Sequence, residues 1–143
     1  MRVFQISARR FLLQLEHGEE VKDKLRGFAD EHNVGAGVMR GLGAADSGEL
    51  DFYHLPGQQH EAFPVDEATE VASLVGNMTR GEDGESIVHV HATLCRRDGS
   101  TLGGHVKRLV VGATLEIDLE VFPGTLRRKL DPAVGLPLQH SLE

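Results

Sequence analysis

Strict alternation of apolar and polar side chains between residues 88 and 95 constrains this chain more than any other feature of its sequence. The apolar positions are Val88, Val90, Ala92 and Leu94, and the polar positions between them are His89, His91, Thr93 and Cys95. A period of two residues is typical of a β-strand with one face in a hydrophobic core and the other face free. The pattern therefore predicts a half-buried strand whose polar face carries two histidines.

His89 and His91 project from the same face of that strand, about 7 Å apart along it, because successive side chains alternate between faces. Two imidazoles placed in this way can bind one metal ion. Histidines also occur on polar sheet faces without binding a metal, so the pair alone leaves both interpretations open.

The turn after the strand decides whether His105 joins the pair. A two-residue loop at Asp98-Gly99 would place His105 opposite Ala92, on the apolar face. A three-residue loop that begins at Arg97, with its glycine in the left-handed position of a bulge, would place His105 opposite His91. In the second case three imidazoles converge, which is a ligand set typical of a divalent metal with an open coordination position, zinc first among them.

Length and charge limit the classes of protein to consider. The chain has 143 residues, and no linker rich in proline, glycine or serine divides it, so we expect a single domain over residues 1–143 with its core at residues 11–138. The formal net charge is −7, from 22 acidic and 15 basic residues. Domains that bind DNA through phosphate neutralisation are usually basic, so the charge argues against direct DNA contact.

A single cysteine, Cys95, excludes an internal disulfide and is typical of a reducing compartment. It lies about 13 Å beyond His91 along the predicted strand, which is too far for a shared ligand role. The N-terminal residues lack the apolar run of a signal peptide, and no stretch approaches the roughly 18 consecutive apolar residues of a membrane span. We therefore expect a cytoplasmic protein with no membrane partner.

Periodicity predicts one helix and about seven strands in an antiparallel or mixed sheet, an α+β domain. Apolar residues recur at helical spacing from Glu19 to His32, and Asn33 and Gly35 supply stop signals. Besides the histidine hairpin, the predicted strands are Val3–Ser7, Phe11–Leu15, Gly35–Ala45, Glu49–His54, Glu70–Met78 and Ala113–Phe122.

Two segments are predicted to be irregular, the polar stretch Leu55–Asp66 and the tail Arg127–Leu142, because both contain proline and glycine. His54 and His60 have no regular spacing to the histidine pair and are expected at the surface. The glycine-rich stretch Gly35–Ala45 could be mistaken for a nucleotide-binding loop, but no helix follows it. We predict instead a strand whose glycines allow another backbone to approach closely.

Together these segments resemble the plants-and-prokaryotes-conserved (PPC) domain. The matching stretches are FLLQLEHGEEV, VMRGLGA, SLVGN, HVHATL, DGSTLGGHV, TLEIDLEV and RKLDPAVGL. They extend from Phe11 to Leu138, and the combination of HxH, GGH and a late R-x-x-D-x-x-x-G-L is the most specific part of the resemblance.

The resemblance implies a compact αβ subunit that forms a homotrimer with a site able to hold zinc. The implied metal ligands are His89, His91 and His105, and the additional candidate site residues are Glu116, Arg128 and Asp131. Plant members of the family bring DNA binding through a separate AT-hook segment, which this sequence lacks, and their PPC domain serves in assembly and partner contacts. The histidine set also resembles the zinc site of acetolactate decarboxylase, where the metal is a Lewis acid.

Two functions follow from this resemblance and from the histidines. The first is a stand-alone, homotrimeric, zinc-binding module with a regulatory or DNA-associated role. The second is a zinc-dependent enzyme, a lyase or hydrolase, that acts on a small polar metabolite. A structural domain with merely exposed histidines is the third interpretation.

Overall fold

The computed structural model describes residues 1–143 and contains nine β-strands and one α-helix. In chain order the elements are β1 (Arg2–Ser7), β2 (Arg10–Glu16), α1 (Val21–Glu31), β3 (Gly37–His54), β4 (Gln59–Val65), β5 (Thr69–Arg80), β6 (Ser86–Cys95), β7 (Thr101–Val121), β8 (Leu126–Asp131) and β9 (Leu136–Leu142). The fold is mostly β-sheet with one helix, which confirms the predicted class.

Four strands pair in a closed ring at the centre of the sheet. β3 pairs with β5 and β7, and β6 pairs with the same two strands, all antiparallel. β1 and β2 extend the sheet from β7, and β4 pairs with β3 alone. β8 joins β5 through one parallel pair, Arg80 with Arg127, so the sheet is mixed.

Alternation along the strands supplies the hydrophobic core. The apolar positions predicted on β6 from Val88 to Leu94 are each no more than 5% exposed. They belong to one cluster of 25 buried residues that also includes Leu115, Ile117 and Leu119 of β7. Burial of one such side chain contributes about 1.5–3 kcal/mol, so this cluster provides the main favourable free energy of folding.

α1 covers one side of the ring and packs against β6 and β7. The Glu20 carboxylate accepts a hydrogen bond from the backbone N–H of Asp23 (2.7 Å) and so caps the first turn. On the buried face, Phe28 meets the ring of Phe11 edge to face, with centroids 5.2 Å apart. The helix has 11 residues, and neither its length nor its polarity suits a membrane crossing.

The glycine-rich stretch forms the first half of β3, where the backbones of β3 and β7 approach closely. A Cβ atom at Gly41 would lie 2.6 Å from the carbonyl oxygen of Glu116. Only glycine allows this approach without a shift of β7. The prediction of a closely packed strand is confirmed.

The two predictions of irregular structure are wrong, and the strand count is nine rather than about seven. β4 occupies part of the predicted polar loop, and β8 and β9 form a hairpin in the tail. β4 and β9 lie at sheet edges and bury few side chains, so their sequences show no alternation. Pro137 is tolerated in β9 because an edge strand has backbone donors that need no partner.

Candidate metal centre

Pairing between β6 and β7 brings three histidines to one face of the sheet. His91 lies directly opposite His105, and His89 precedes His91 by two residues on the same face. The connecting loop has three residues, since the backbone N–H of Arg96 donates to the carbonyl of Ser100 (2.8 Å) and Gly99 has φ +84°. The sequence therefore forms the bulged loop and not the two-residue turn.

The three imidazoles converge to separations close to those between the ligands of a single metal ion. The Nε2 atoms of His89 and His91 are 3.2 Å apart, and one ring nitrogen from each of the three histidines lies within 4.8 Å of the other two. Ligands at about 2.0–2.1 Å from a tetrahedral ion are separated from each other by about 3.3 Å. Small side-chain rotations would bring all three nitrogens to this separation.

Burial keeps these imidazoles neutral. It lowers the pKa of His89 to about 4, assisted by the positive charge of Arg128. It likewise lowers the pKa of His105 to about 4, with a further contribution from the ammonium of Lys22, and it lowers the pKa of His91. Neutral imidazole is the form that binds a metal, so the lone pairs are available at pH 7.

Arg128 is the additional candidate residue that the fold brings to the histidines. Its Nη2 atom lies 3.3 Å from Nδ1 of His89 and donates to the Asn77 side-chain oxygen (3.0 Å). Its Nε donates to Thr79 (3.0 Å), and its Nη1 donates to the carbonyl of Pro137 (2.7 Å). The side chain, only 8% exposed, therefore connects β5, β6 and the β8–β9 hairpin and holds the ring of His89 in place.

Glu116 and Asp131 lie elsewhere. Glu116 is on β7 between Gln14 and Leu42, at a second cavity on another part of the sheet. Asp131 shapes the turn between β8 and β9, because its carboxylate accepts from the N–H of Ala133 (2.8 Å). The free thiol of Cys95 is outside the group of converging ligand atoms.

A cavity of about 1110 Å³ opens beside the three histidines. Its walls include the helix residues Lys22 and Arg26, the guanidinium of Arg128, and Leu136 and Leu138 of the β8–β9 hairpin. Ligand pockets in proteins typically enclose about 300–1,000 Å³. The space therefore suffices for a small molecule beside a bound ion.

Sequence reasoning missed three residues of this cavity: Lys22, Asp51 and His60. His60 was expected at the surface, and although its side chain is 47% exposed, its Nδ1 lies 3.4 Å from Oδ2 of Asp51. Asp51 lies opposite His105 in the β3–β7 pairing. The pairing of Asp51 with His105 depends on the register between two strands that are distant in sequence, and no local pattern encodes it. The one available signal was a lysine at Lys22, inside the apolar helix face.

The protein is a mainly β-domain with one helix. Three histidines converge from adjoining strands, and a cavity lies beside them. Residues 4–123 match the model of the Plants and Prokaryotes Conserved (PCC) domain, also abbreviated PPC. The chain belongs to this family, as the sequence motifs indicated.

Solved structures of similar chains agree with this assignment. The PPC protein of Pyrococcus horikoshii is 26% identical with a TM-score of 0.86, and the match covers 95% of this chain and 94% of that one. A metal-containing protein of Archaeoglobus fulgidus is also 26% identical, with a TM-score of 0.86 over 99% and 100% of the two chains. The predicted fold relationship to acetolactate decarboxylase is confirmed by the Bacillus subtilis enzyme, at 14% identity and TM-score 0.54 over 89% of this chain and 58% of that one.

One curated relative, the bifunctional protein GlmU of Synechococcus sp. (strain JA-3-3Ab), is 30% identical over 132 residues. The match covers 90% of this chain and 20% of that protein, so this chain spans about a fifth of the relative's length.

Proposed function

We propose that this protein is a zinc-binding PPC module in which His89, His91 and His105 hold one metal ion. The observation that carries the proposal is the convergence of three neutral imidazoles from two rigid, paired strands. Zinc is the first candidate because borderline-soft nitrogen ligands in this number suit it. The metal-containing relative from Archaeoglobus fulgidus supports the same interpretation.

Elemental analysis of chelator-washed, untagged protein reloaded with zinc tests this proposal. We expect about one zinc per chain, and loss of the metal in His89→Ala and in His105→Ala. His17→Ala is a matched control, because that histidine is 74% exposed and contacts only Asp46. Folded His89→Ala or His105→Ala protein that keeps a full zinc equivalent would refute the assignment.

We propose further that the module is a homotrimer with a regulatory or DNA-associated role in the cytoplasm. An exposed apolar face supports self-association: Phe4, Leu12, Leu42 and Val75 are each 43–59% exposed around the second cavity. Apolar patches of this kind on a folded protein typically mark interfaces. A cytoplasmic location agrees with the single free cysteine.

The family membership and the net charge support DNA association through a partner rather than direct contact. A fluorescence anisotropy titration of duplex DNA tests the direct version. We expect no salt-dependent binding, because the excess of acidic residues that gives a net charge of −7 repels the phosphates of the duplex. Binding that weakens steeply as salt rises would contradict this expectation.

A zinc-dependent lyase or hydrolase is the second candidate, and the cavity beside the histidines is the observation that favours it. A bound zinc ion would act as a Lewis acid at the fourth position. Lys22, Asp51 and Arg128 then provide charged groups to bind a substrate. In a screen of small polar metabolites, any turnover that His91→Ala leaves unchanged would contradict this function.

A further inference from the structure

Two oppositely charged side chains of the cavity are buried, and neither forms a salt bridge with a lysine, arginine, aspartate or glutamate side chain, although the charge of Asp51 attracts the Lys22 ammonium. Lys22 is 8% exposed and Asp51 is 7% exposed, and both line the cavity with the three histidines. Buried charges usually persist in a fold only where a partner or a ligand compensates their desolvation.

Asp51 lies next to the candidate metal position. It is the cross-strand neighbour of His105 on β3, and such neighbours present their side chains to the same face with Cβ atoms about 4.5–5.5 Å apart. Its Oδ1 atom is fully buried and has no hydrogen-bond donor, while Oδ2 lies 3.4 Å from Nδ1 of His60. Asp51 is not one of the converging ligand atoms, so its carboxylate, which lines the cavity, is not committed to the metal.

Lys22 approaches the same place from the helix. Its ammonium donates one hydrogen bond, to the carbonyl of Val106 (3.0 Å), the residue after His105. An ammonium carries three protons, so two remain for a ligand. The positive charge of Lys22 also reaches His89 and His105, since it contributes to the low pKa of both rings.

The local charge favours an anion. The charged side chains of the cavity wall balance, with three positive and three negative groups: Lys22, Arg26, Arg128, Asp30, Asp51 and Glu85. A divalent ion on three neutral imidazoles would therefore add an excess of two positive charges. A carboxylate that binds between the metal and Lys22 would offset this excess. The free oxygen of Asp51 requires a different group, a hydrogen-bond donor.

We propose that the cavity binds a small carboxylate that carries a hydroxyl or amino group next to it. The carboxylate binds near the metal and the ammonium of Lys22, and the hydroxyl or amino group donates to the carboxylate of Asp51. This inference rests on the function proposed above, because it names the ligand class of the same site. It applies equally to a regulatory ligand and to a substrate.

Isothermal titration calorimetry with four three-carbon compounds tests the proposal on the 143-residue protein with and without zinc. Lactate and alanine have both groups, propionate has the carboxylate alone, and 1,2-propanediol has hydroxyls alone. We expect lactate or alanine to bind at least about tenfold more tightly than propionate and the diol, which is the size of effect typical of a hydrogen bond to a buried charge. Whichever of lactate and alanine binds more tightly shows whether the donor group of the ligand is a hydroxyl or an amino group.

Two variants separate the roles. Asp51→Leu should abolish the preference for lactate or alanine over propionate. Lys22→Met should reduce the preference for lactate or alanine over the diol. Asp46→Leu on the same strand and Lys24→Met on the same helix are matched controls, since both wild-type side chains are more than 40% exposed. Asp51→Ala, which also removes the acceptor, provides a second test at that position if the leucine variant does not fold.

Equal binding of propionate, binding of none of the four compounds, or an unchanged preference in folded Asp51→Leu or Asp51→Ala would overturn the proposal. Zinc content measured on the same samples keeps the two proposals distinct. One zinc per chain without the preference rejects the ligand class alone. Absence of zinc rejects the metal centre. In that case the preference of the zinc-free protein for lactate or alanine over propionate and the diol still decides the ligand class.

Discussion

At the scale of single residues, the buried histidines make the folded state sensitive to acid. Burial lowers the pKa of His89 and His105 from 6.5 to about 4 in the folded protein. Between these values the unfolded chain binds more protons than the folded one, so stability increases with pH in this window. We predict that the free energy of unfolding of the metal-free protein decreases as pH falls from about 6.5 to about 4.

Urea unfolding between pH 7 and pH 4 would measure this dependence. His105→Gln should make it shallower, because glutamine does not titrate. Added zinc should make the wild-type dependence steeper, since the metal binds only the neutral rings of the folded state. A wild-type curve as shallow as that of His105→Gln would contradict the low pKa values.

Asp51 gives a second prediction at this scale. A buried polar atom without a partner costs about 1–3 kcal/mol, and an apolar replacement removes that cost. We predict that Asp51→Leu raises the free energy of unfolding of the ligand-free protein by about 1 kcal/mol, measured by urea unfolding. A loss of stability of similar size would mean that the carboxylate is satisfied in solution, against the structure.

The sequence alone identified part of the site. Alternation placed His89 and His91 on one face, the loop with Gly99 allowed His105 to join them, and the motif resemblance supplied Arg128. Asp51 and His60 could not be recognised, and Lys22 gave only the signal of a lysine inside the apolar helix face, because the proximity of all three to the histidines arises from the packing of α1, β3 and β4 around the cavity.

At the scale of elements, the β6–β7 loop determines which face His105 occupies. Gly99 has φ +84°, a conformation that costs a residue with a side chain about 1–2 kcal/mol. We predict that Gly99→Val lowers the free energy of unfolding by about that amount and weakens zinc binding. Chemical unfolding and a competitive zinc titration would measure the two effects.

Gly27→Ala is the matched control for Gly99→Val. Gly27 lies inside α1, and an added Cβ there would contact nothing within 4 Å. Alanine should stabilise the helix by about 0.5–1 kcal/mol with no effect on zinc. Equal tolerance of both substitutions would contradict the assigned loop geometry.

Elements with strong patterns were predictable, and edge elements were not. The helix and the β6 strand follow from periodicities of 3.6 and two residues, because each buries one face. β4 and β9 form through pairing with neighbours while their side chains remain largely exposed, and the one buried side chain of β8 is the charged Arg128. Hydrophobic patterning therefore carries no information about them.

At the scale of the whole molecule, the exposed apolar face should hold the subunits together. Leu42 is 59% exposed among other apolar side chains on that face. We predict that Leu42→Asp converts a trimer into monomers, because a charge in an apolar interface loses its hydration without a partner. Sedimentation equilibrium would measure the mass.

Leu142→Asp is the control for this experiment, since Leu142 is 70% exposed on the edge strand β9, outside that face. It should leave the mass unchanged. A wild-type protein that is monomeric at high concentration, or a Leu42→Asp variant that remains trimeric, would contradict the proposed assembly.

The ring of β3, β5, β6 and β7 is a property of the whole chain that sequence reasoning did not reach. The class and the mixed sheet followed from the pattern of elements, but the strand order depends on pairings between residues as distant as Gly37 and Val121. That order places the histidine face beside α1 and creates the cavity.

X-ray absorption at the zinc edge of the reloaded protein would identify the ligands of the metal. We predict three imidazole nitrogens at about 2.0–2.1 Å and one oxygen from water or ligand in the fourth position. Loss of one imidazole ligand from the first coordination shell in His91→Ala would agree with this assignment. A sulfur ligand at about 2.3 Å, or a first shell without imidazole, would contradict the three-histidine centre.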